Sequence, residues 1–416
     1  MFNKTLISEF FTTVSFTQMY SSFYMLTFWI INSYKVNYVK QIEEKLLKIQ
    51  ELDDSKIISL YSWRNAIHNA LKLIWIDNND EIIVSWYTCS VVVNAVLNIW
   101  WNPIYCDIEP ESLGLDIKDL KTKITKKTKV IIIQHTFWKQ VKYYKEILKL
   151  AKKEKILVIE DCAHSLWNNQ KIEWDFAIFS TWRDKVISSV TWWFLIINNS
   201  QYFTKIWFIK NELQSVKPLL VWRNLNYDIL WYLAYKLYDF LKIWRLIIHF
   251  SRKLWLITEV LTYREKRFAS KNFSLAFPNS LAYLALRELK KIKHYTKIRL
   301  DNSNYYLKYL NNKNIEIIFK DLNDYNWFRF PIIVENTLIK EELYSYMRKN
   351  SILLWNTWSW TNIVPMWVNL VEAKYKLWSC PNAERISEQI LTLPNHSLIS
   401  KKDLKNIVEL LNKFEV

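Results

Sequence analysis

From residue 39 onward the chain alternates short apolar runs with longer stretches whose apolar residues recur every three to four positions. This periodicity predicts helices over residues 65–74, 90–99, 117–124 and 144–153. It predicts strands over residues 81–85, 103–106, 130–134 and 156–160, with two more at 176–179 and 194–197. Val130-Ile131-Ile132-Ile133 is apolar at every position, as expected of a strand covered on both faces. Such alternation predicts an α/β protein with a mainly parallel sheet. In sheets of this kind functional groups gather at the C-terminal ends of the strands.

The pattern changes twice. Residues 219–262 are rich in Leu, Ile, Tyr and Trp, but Arg223, Asp228, Lys236, Asp239, Lys242 and Arg245 break them up. No run there reaches the length of a membrane span. A helical excursion packed on the body or at a dimer contact is expected, with peripheral membrane contact as the alternative. A helical period returns at residues 281–293 and 305–310. Short strands (315–319, 328–334) and helices (340–349, 402–414) then describe a smaller α+β domain. The expected organisation is an N-terminal extension (1–38), a large domain (39–300) carrying the 219–262 insertion, and a small C-terminal domain (301–416). The first 34 residues lack the layout of a signal peptide and read as a cytoplasmic extension.

Composition adds an anomaly. Among 416 residues there are 23 tryptophans and one glycine, where average usage would give about 29 glycines. The tryptophans stand where a fold wants glycine. Trp75 follows the predicted helix 65–74, the place of a left-handed cap, Trp100 and Trp101 end another apolar run, and Trp192-Trp193 precede a strand. The pattern suggests a gene that reads UGA as glycine, written here with UGA as tryptophan. A genuinely tryptophan-rich protein is the alternative.

The net charge of +17 is compatible with an anionic substrate or surface. No basic block interleaved with aromatics appears, so nucleic acid is not an expected partner. Cys89, Cys106, Cys162 and Cys380 show no ligand spacing and read as reduced thiols; no metal is predicted.

The chemistry concentrates in Glu160-Asp161-Cys162-Ala163-His164-Ser165-Leu166-Trp167 and in the segment from Asp175 to Lys185. Asp161 and His164 follow one predicted strand; Ser180 and Lys185 follow the next. An aspartate alone at a strand end is ordinarily a turn residue, and a lone lysine a solvated charge. Together at adjacent strand ends they suit pyridoxal phosphate (PLP). That cofactor takes a lysine amine for its Schiff base, a carboxylate for its ring nitrogen, and hydroxyls with backbone N–H groups for its phosphate.

With tryptophan read as glycine, the sequence resembles the DegT/DnrJ/EryC1/StrS family of PLP-dependent sugar aminotransferases over roughly residues 39–210 and 265–412. Matching motifs are Glu160–Trp167, Ser180 with Lys185 five residues on, Trp192-Trp193 for a Gly-Gly pair, residues 62–67 for Ser-Gly-x-x-Ala-Leu, and Ala383-Glu384 with Leu393-Pro394-Asn395-His396. The resemblance implies the type I PLP-transferase fold: a mainly parallel seven-stranded sheet between helices, plus a smaller C-terminal domain. It implies that Lys185 binds the cofactor and shuttles the proton, Asp161 pairs with the pyridine nitrogen, and His164 lies against the ring. Ser180 and the backbone around Trp63, Arg64 and Asn65 would hold the phosphate, and Tyr87 to Cys89 would supply a second ring contact. His135 is a pocket or structural residue. Asn272 and Asn279 are candidates for a phosphate contact reaching the partner subunit.

The implied activity is transfer of an amino group, from glutamate, to a keto group on a nucleotide-linked sugar for polysaccharide or glycan synthesis, by a cytoplasmic homodimer. Dehydratase relatives replace the lysine with histidine, so Lys185 argues for transamination. The competing expectation is a non-catalytic regulator or membrane-associated scaffold on the same fold.

Overall fold

The computed structural model describes residues 7–8, 15–33, 36–75, 79–98, 102–166, 174–238, 240, 243–259, 274–320, 328–354, 358–364 and 368–415. Its centre is a seven-stranded sheet. The strands are β2 (Lys56–Leu60), β3 (Glu81–Ser85), β5 (Asn102–Cys106), β6 (Thr128–Gln134), β7 (Leu157–Cys162), β8 (Phe176–Ser180) and β9 (Trp193–Ile197), in spatial order β2-β9-β8-β7-β6-β3-β5. Neighbours from β8 to β5 pair in parallel; β9 runs antiparallel to both β2 and β8. The sheet is buried on both faces, as the unbroken apolar runs predict. Along β6, Val130 and Ile132 enter one core, and Ile131 and Ile133 enter the other.

The first core is covered by α3 (Trp63–Ile74), α4 (Ser90–Leu97) and C-terminal elements. The second is covered by α2 (Tyr38–Ile49), α5 (Ile117–Lys123), α6 (Tyr144–Glu154) and α10 (Asn279–Leu289). On α6, buried Tyr144, Ile147 and Ala151 fall on one stripe of the helix, and the lysines elsewhere.

The 219–262 insertion forms α8 (Pro218–Lys236) and α9 (Ile243–Lys253), after a short α7 (Ile206–Glu212). Val221 and Leu225 of α8 enter the second core, so the excursion packs on the body. The N-terminal extension contains α1 (Phe16–Ser33), which the sequence pattern did not predict. It packs against α8 and α10.

The C-terminal region holds α11 (Ile292–Tyr309), an antiparallel sheet β10-β11-β14 (Glu316–Ile317, Phe330–Ile333, Ile390–Leu393), α12 (Thr337–Lys349), α13 (Pro381–Gln389) and α14 (Lys401–Asn412). The predicted strand 315–319 shrinks to two residues, because Ile315 and Phe319 turn into the core and leave the ladder. Two parallel pairs tie this region to earlier chain: β1 (Ile7–Ser8) to β12 (Ile352–Leu353), and β4 (Thr88–Cys89) to β13 (Ile363–Val364). No described helix is long and apolar enough to cross a membrane.

Candidate active site

Two adjacent strands deliver the predicted residues to one place. Asp161 lies near the end of β7, with backbone partners Gln134 on β6 and Ile178 on β8. Two residues beyond Asp161 the chain turns; Ala163 N–H donates to Asp161 Oδ1 at 3.0 Å, and His164 follows. β8 ends at Ser180, and a tight loop then presents Lys185, whose N–H donates to the Trp182 carbonyl at 2.8 Å. Asp161, His164, Ser180 and Lys185 are all buried.

Burial sets their protonation. Loss of water pushes the Asp161 carboxyl up to about 7, against the opposing charges of Lys185 and His135. The Lys185 amine is lowered, first by burial and then by the Arg329 guanidinium, with Asp184 acting the other way. His164 is held well below its usual range by burial and by the charges of Lys185 and Arg329, so its ring is neutral. It stacks on Phe328 with centroids 4.8 Å apart, and its Nδ1 accepts from the Phe137 N–H at 3.2 Å.

Two further residues belong to the site and were not singled out from the sequence. Asp184 Oδ1 lies 3.7 Å from Lys185 Nζ, and Asp184 Oδ2 lies 2.8 Å from an Arg329 nitrogen. Burial alone would raise the Asp184 carboxyl, but Lys185 and Arg329 overrule it and hold it below its ordinary value. Arg329 comes from the segment leading into β11, where a lone cation in an apolar run was the available signal. Lys185 Nζ also sits 5.1 Å from the Phe328 ring centroid.

α3 begins at Trp63, and its first amides face the loop after β2. Asn65 uses its side chain locally: Oδ1 accepts from Ser62 Oγ at 2.9 Å, and Nδ2 donates to the Leu275 carbonyl. Arg64 is half-buried, and Ser180 Oγ accepts from the Trp182 N–H at 3.0 Å. The Trp63 and Trp193 indoles stack here, with centroids 5.1 Å apart and planes 5° from parallel. Trp193 is the backbone partner of Ser180.

The remaining candidates divide. Cys89 caps α4 beside the site, its thiol raised to about 11 by burial. The Tyr87 hydroxyl is spent on the Trp358 carbonyl. His135 Nε2 pairs with Glu160 Oε2 at 2.9 Å behind the site, and Tyr144 donates to the other Glu160 oxygen. His135, Glu160 and Cys162 form the one cluster of three metal-capable groups among the described residues, and both Glu160 oxygens are occupied by these protein donors. Asn279 holds the backbone of residues 36–39. Trp167 and Asn272 lie outside the described residues.

The DegT/DnrJ/EryC1/StrS aminotransferase family profile matches residues 28–190 and 261–412. The chain belongs to this family. Both matched stretches carry site residues, and the gap between them, residues 191–260, holds β9 and α7 as well as the α8–α9 insertion. Among similar proteins, GDP-perosamine synthase of Escherichia coli O157:H7 is 28% identical over 209 residues, covering 49% of this chain and 55% of that protein. The chain therefore matches about half the length of that synthase. Among solved structures, NtdA of Bacillus subtilis with bound PMP superposes with a TM-score of 0.71 at 19% identity, covering 99% of this chain and 85% of that one. Helicobacter pylori PseC, an aminotransferase of pseudoaminic acid biosynthesis, gives 0.71 at 16% identity, covering 99% and 98%. At these identities the likeness establishes the fold.

Proposed function

We propose that this protein is a PLP-dependent aminotransferase that moves an amino group from an amino acid, glutamate by resemblance, to the keto group of a nucleotide-linked sugar. The product would serve surface polysaccharide or glycan synthesis. The observation that carries this reading is the meeting of Lys185, Asp161 and His164 at the ends of β7 and β8. Perosamine synthase and PseC, as relatives with sugar-aminating or sugar-pathway names, support the substrate class.

The residues fit the ring end of the cofactor. A buried carboxylate raised to about 7 is stabilised by a cationic ring nitrogen, and a lysine whose proton is loosened by burial is suited to condense with an aldehyde. When bound, the cofactor supplies an electron sink for the carbon bearing the amino group. Lys185 Nζ then carries the proton to and from that carbon. Asp161 keeps the ring nitrogen protonated. His164 packs flat among Phe137 and Phe328 and excludes water. The Arg329–Asp184 pair keeps Lys185 from ion-pairing fully with Asp184.

The phosphate end fits only with glycine in place of tryptophan, and glycine is the native residue there in this reading, the UGA codons being decoded as glycine. Five of the twelve left-handed non-glycine residues described are tryptophans, at 75, 138, 255, 360 and 378. Each costs about 1–2 kcal/mol that glycine would not. The buried indole N–H groups of Trp63, Trp86, Trp138 and Trp192 have no acceptor, against the habit of buried indoles. Glycine at 63 and 193 removes the stacked indoles beside Ser180 and frees the α3 amides for an anion. The chain's own Gly114 sits where a Cβ would come 2.6 Å from Val141.

The remaining parts of the reading are a homodimer in the cytoplasm and a division into a cofactor domain (39–300) and a small domain (301–416). Purified native protein should absorb in the visible, and borohydride should fix the cofactor to the Lys185 peptide; Lys185→Ala should abolish both. A colourless wild-type protein would favour the regulator or scaffold. Peptides of the native protein carrying tryptophan at position 63 or 193 would overturn the decoding.

A further inference from the structure

The α1, α8 and α9 helices lie side by side as an outer layer, with α8 between the other two. Phe16 of α1 meets Tyr232 of α8, while Gln18 and Ser22 both reach Asp228, so α1 and α8 run antiparallel. The inner face of the layer is packed against the body. Gln18, Ser22 and Met25 of α1, and Val221, Asn224, Leu225 and Asp228 of α8, are buried. Asp228, raised to about 8 by burial, is held by the Gln18 amide and the Ser22 hydroxyl, both at 2.8 Å.

The outer face is different. On α1, Phe16, Tyr20 and Phe23 are each more than half exposed and form one stripe at the i, i+4, i+7 spacing. On α8 and α9, Leu233, Leu246 and Phe250 are 43–56% exposed. No charged residue occurs anywhere in α1. The exposed charges of α8 and α9 are all cationic: Lys236, Arg245, Arg252 and Lys253. The one acid described in these two helices is Asp228, on the inner face. None of the six outward apolar residues is a tryptophan, so the surface does not depend on which residue stands at 222, 244 or 255.

We infer that this face docks on a membrane surface rich in anionic lipid. Aromatic and aliphatic side chains beside basic ones, on helices not long and apolar enough to span, are the composition of a helix lying in the headgroup plane. Charge decides against a second copy of the chain. A two-fold contact sets each patch against itself, so this one would bring together helices whose described exposed charges are four cations and no acid. An anionic leaflet meets the same residues with the opposite sign, each contributing favourably near the surface. The net charge of +17 acts in the same direction.

The test is sedimentation of the full chain with vesicles of phosphatidylcholine alone and of phosphatidylcholine with phosphatidylglycerol, at low and high salt. Binding is expected to the anionic vesicles and to weaken as salt rises. The double variant L246E/F250E should bind at least about tenfold more weakly. Lys145→Glu, an equally exposed charge reversal on α6, should bind close to wild type. Melting curves and oligomeric state are read on the same samples. Equal binding to neutral vesicles, no binding at all, or an L246E/F250E variant that changes copy number instead of vesicle binding would each overturn the inference. Cofactor colour is independent of every one of these readouts, so failure here and failure of the aminotransferase reading are separately visible.

Discussion

At Lys185, two environmental effects compete over one proton. Burial and Arg329 loosen it, while Asp184 at 3.7 Å holds it. At Asp161 burial outweighs the Ala163 N–H and the charges of Lys185 and His135, so its ionised form calls for a further cationic partner. Asp161→Asn should therefore keep the cofactor attached to Lys185 yet lower single-turnover amino transfer by about 10²–10³-fold; near-wild-type turnover would remove Asp161 from the mechanism. A second buried lysine makes a sharper pH prediction. Lys340 is fully buried, donates to the Ser387 carbonyl at 2.7 Å, sits 4.1 Å from the Trp360 ring, and is lowered to about 7 by burial. The unfolded chain keeps that proton to about pH 10, so between these values the unfolded state binds more protons and stability rises with pH. Lys340→Met should reduce the slope of unfolding free energy against pH by about 1.4 kcal/mol per unit between pH 7.5 and 9.5, measured by urea denaturation. Asp161, His164 and Lys185 were legible in the sequence because the chemistry fixes both their type and their distance from strand ends. Arg329 was not, because it reaches Asp184 across 145 residues.

Among the elements, those with a clear period were legible and those without one were not. The strands β3, β5, β6 and β7 announce themselves as apolar runs between turns. α1 carries no charge to mark a polar face, so its period is hidden although its buried residues described, Gln18, Ser21, Ser22 and Met25, share one side. α13 shows a different kind of hidden information. Its first amides are capped from outside the helix: Asp107, just after β5, accepts from Asn382 and Ala383 N–H at 3.0 and 2.9 Å. A carboxylate at a helix N-terminus satisfies orphan donors and complements the dipole. Asp107→Ala should destabilise the protein by about 1–2 kcal/mol in urea titrations without altering cofactor attachment. A loss within error would mean water replaces the cap without cost.

For the whole molecule, the sheet order and the site at its carboxyl edge follow from the alternation of elements, while the layer formed by α1, α8 and α9 does not. α1 and α8 meet across more than 200 residues of chain, and nothing local encodes their meeting. The proposed dimer is tested at this scale: light scattering should give twice the chain mass, and a monomer that still performs amino transfer would refute it. One pairing also sets a timetable. β1 joins β12 in parallel, so a strand near the start of the chain takes its neighbour from near residue 352. A ribosome adding about 5–20 residues each second would leave that strand waiting for roughly half a minute. Throughout that interval its edge is open to any other nascent chain, and early chaperone capture of this segment is the natural safeguard.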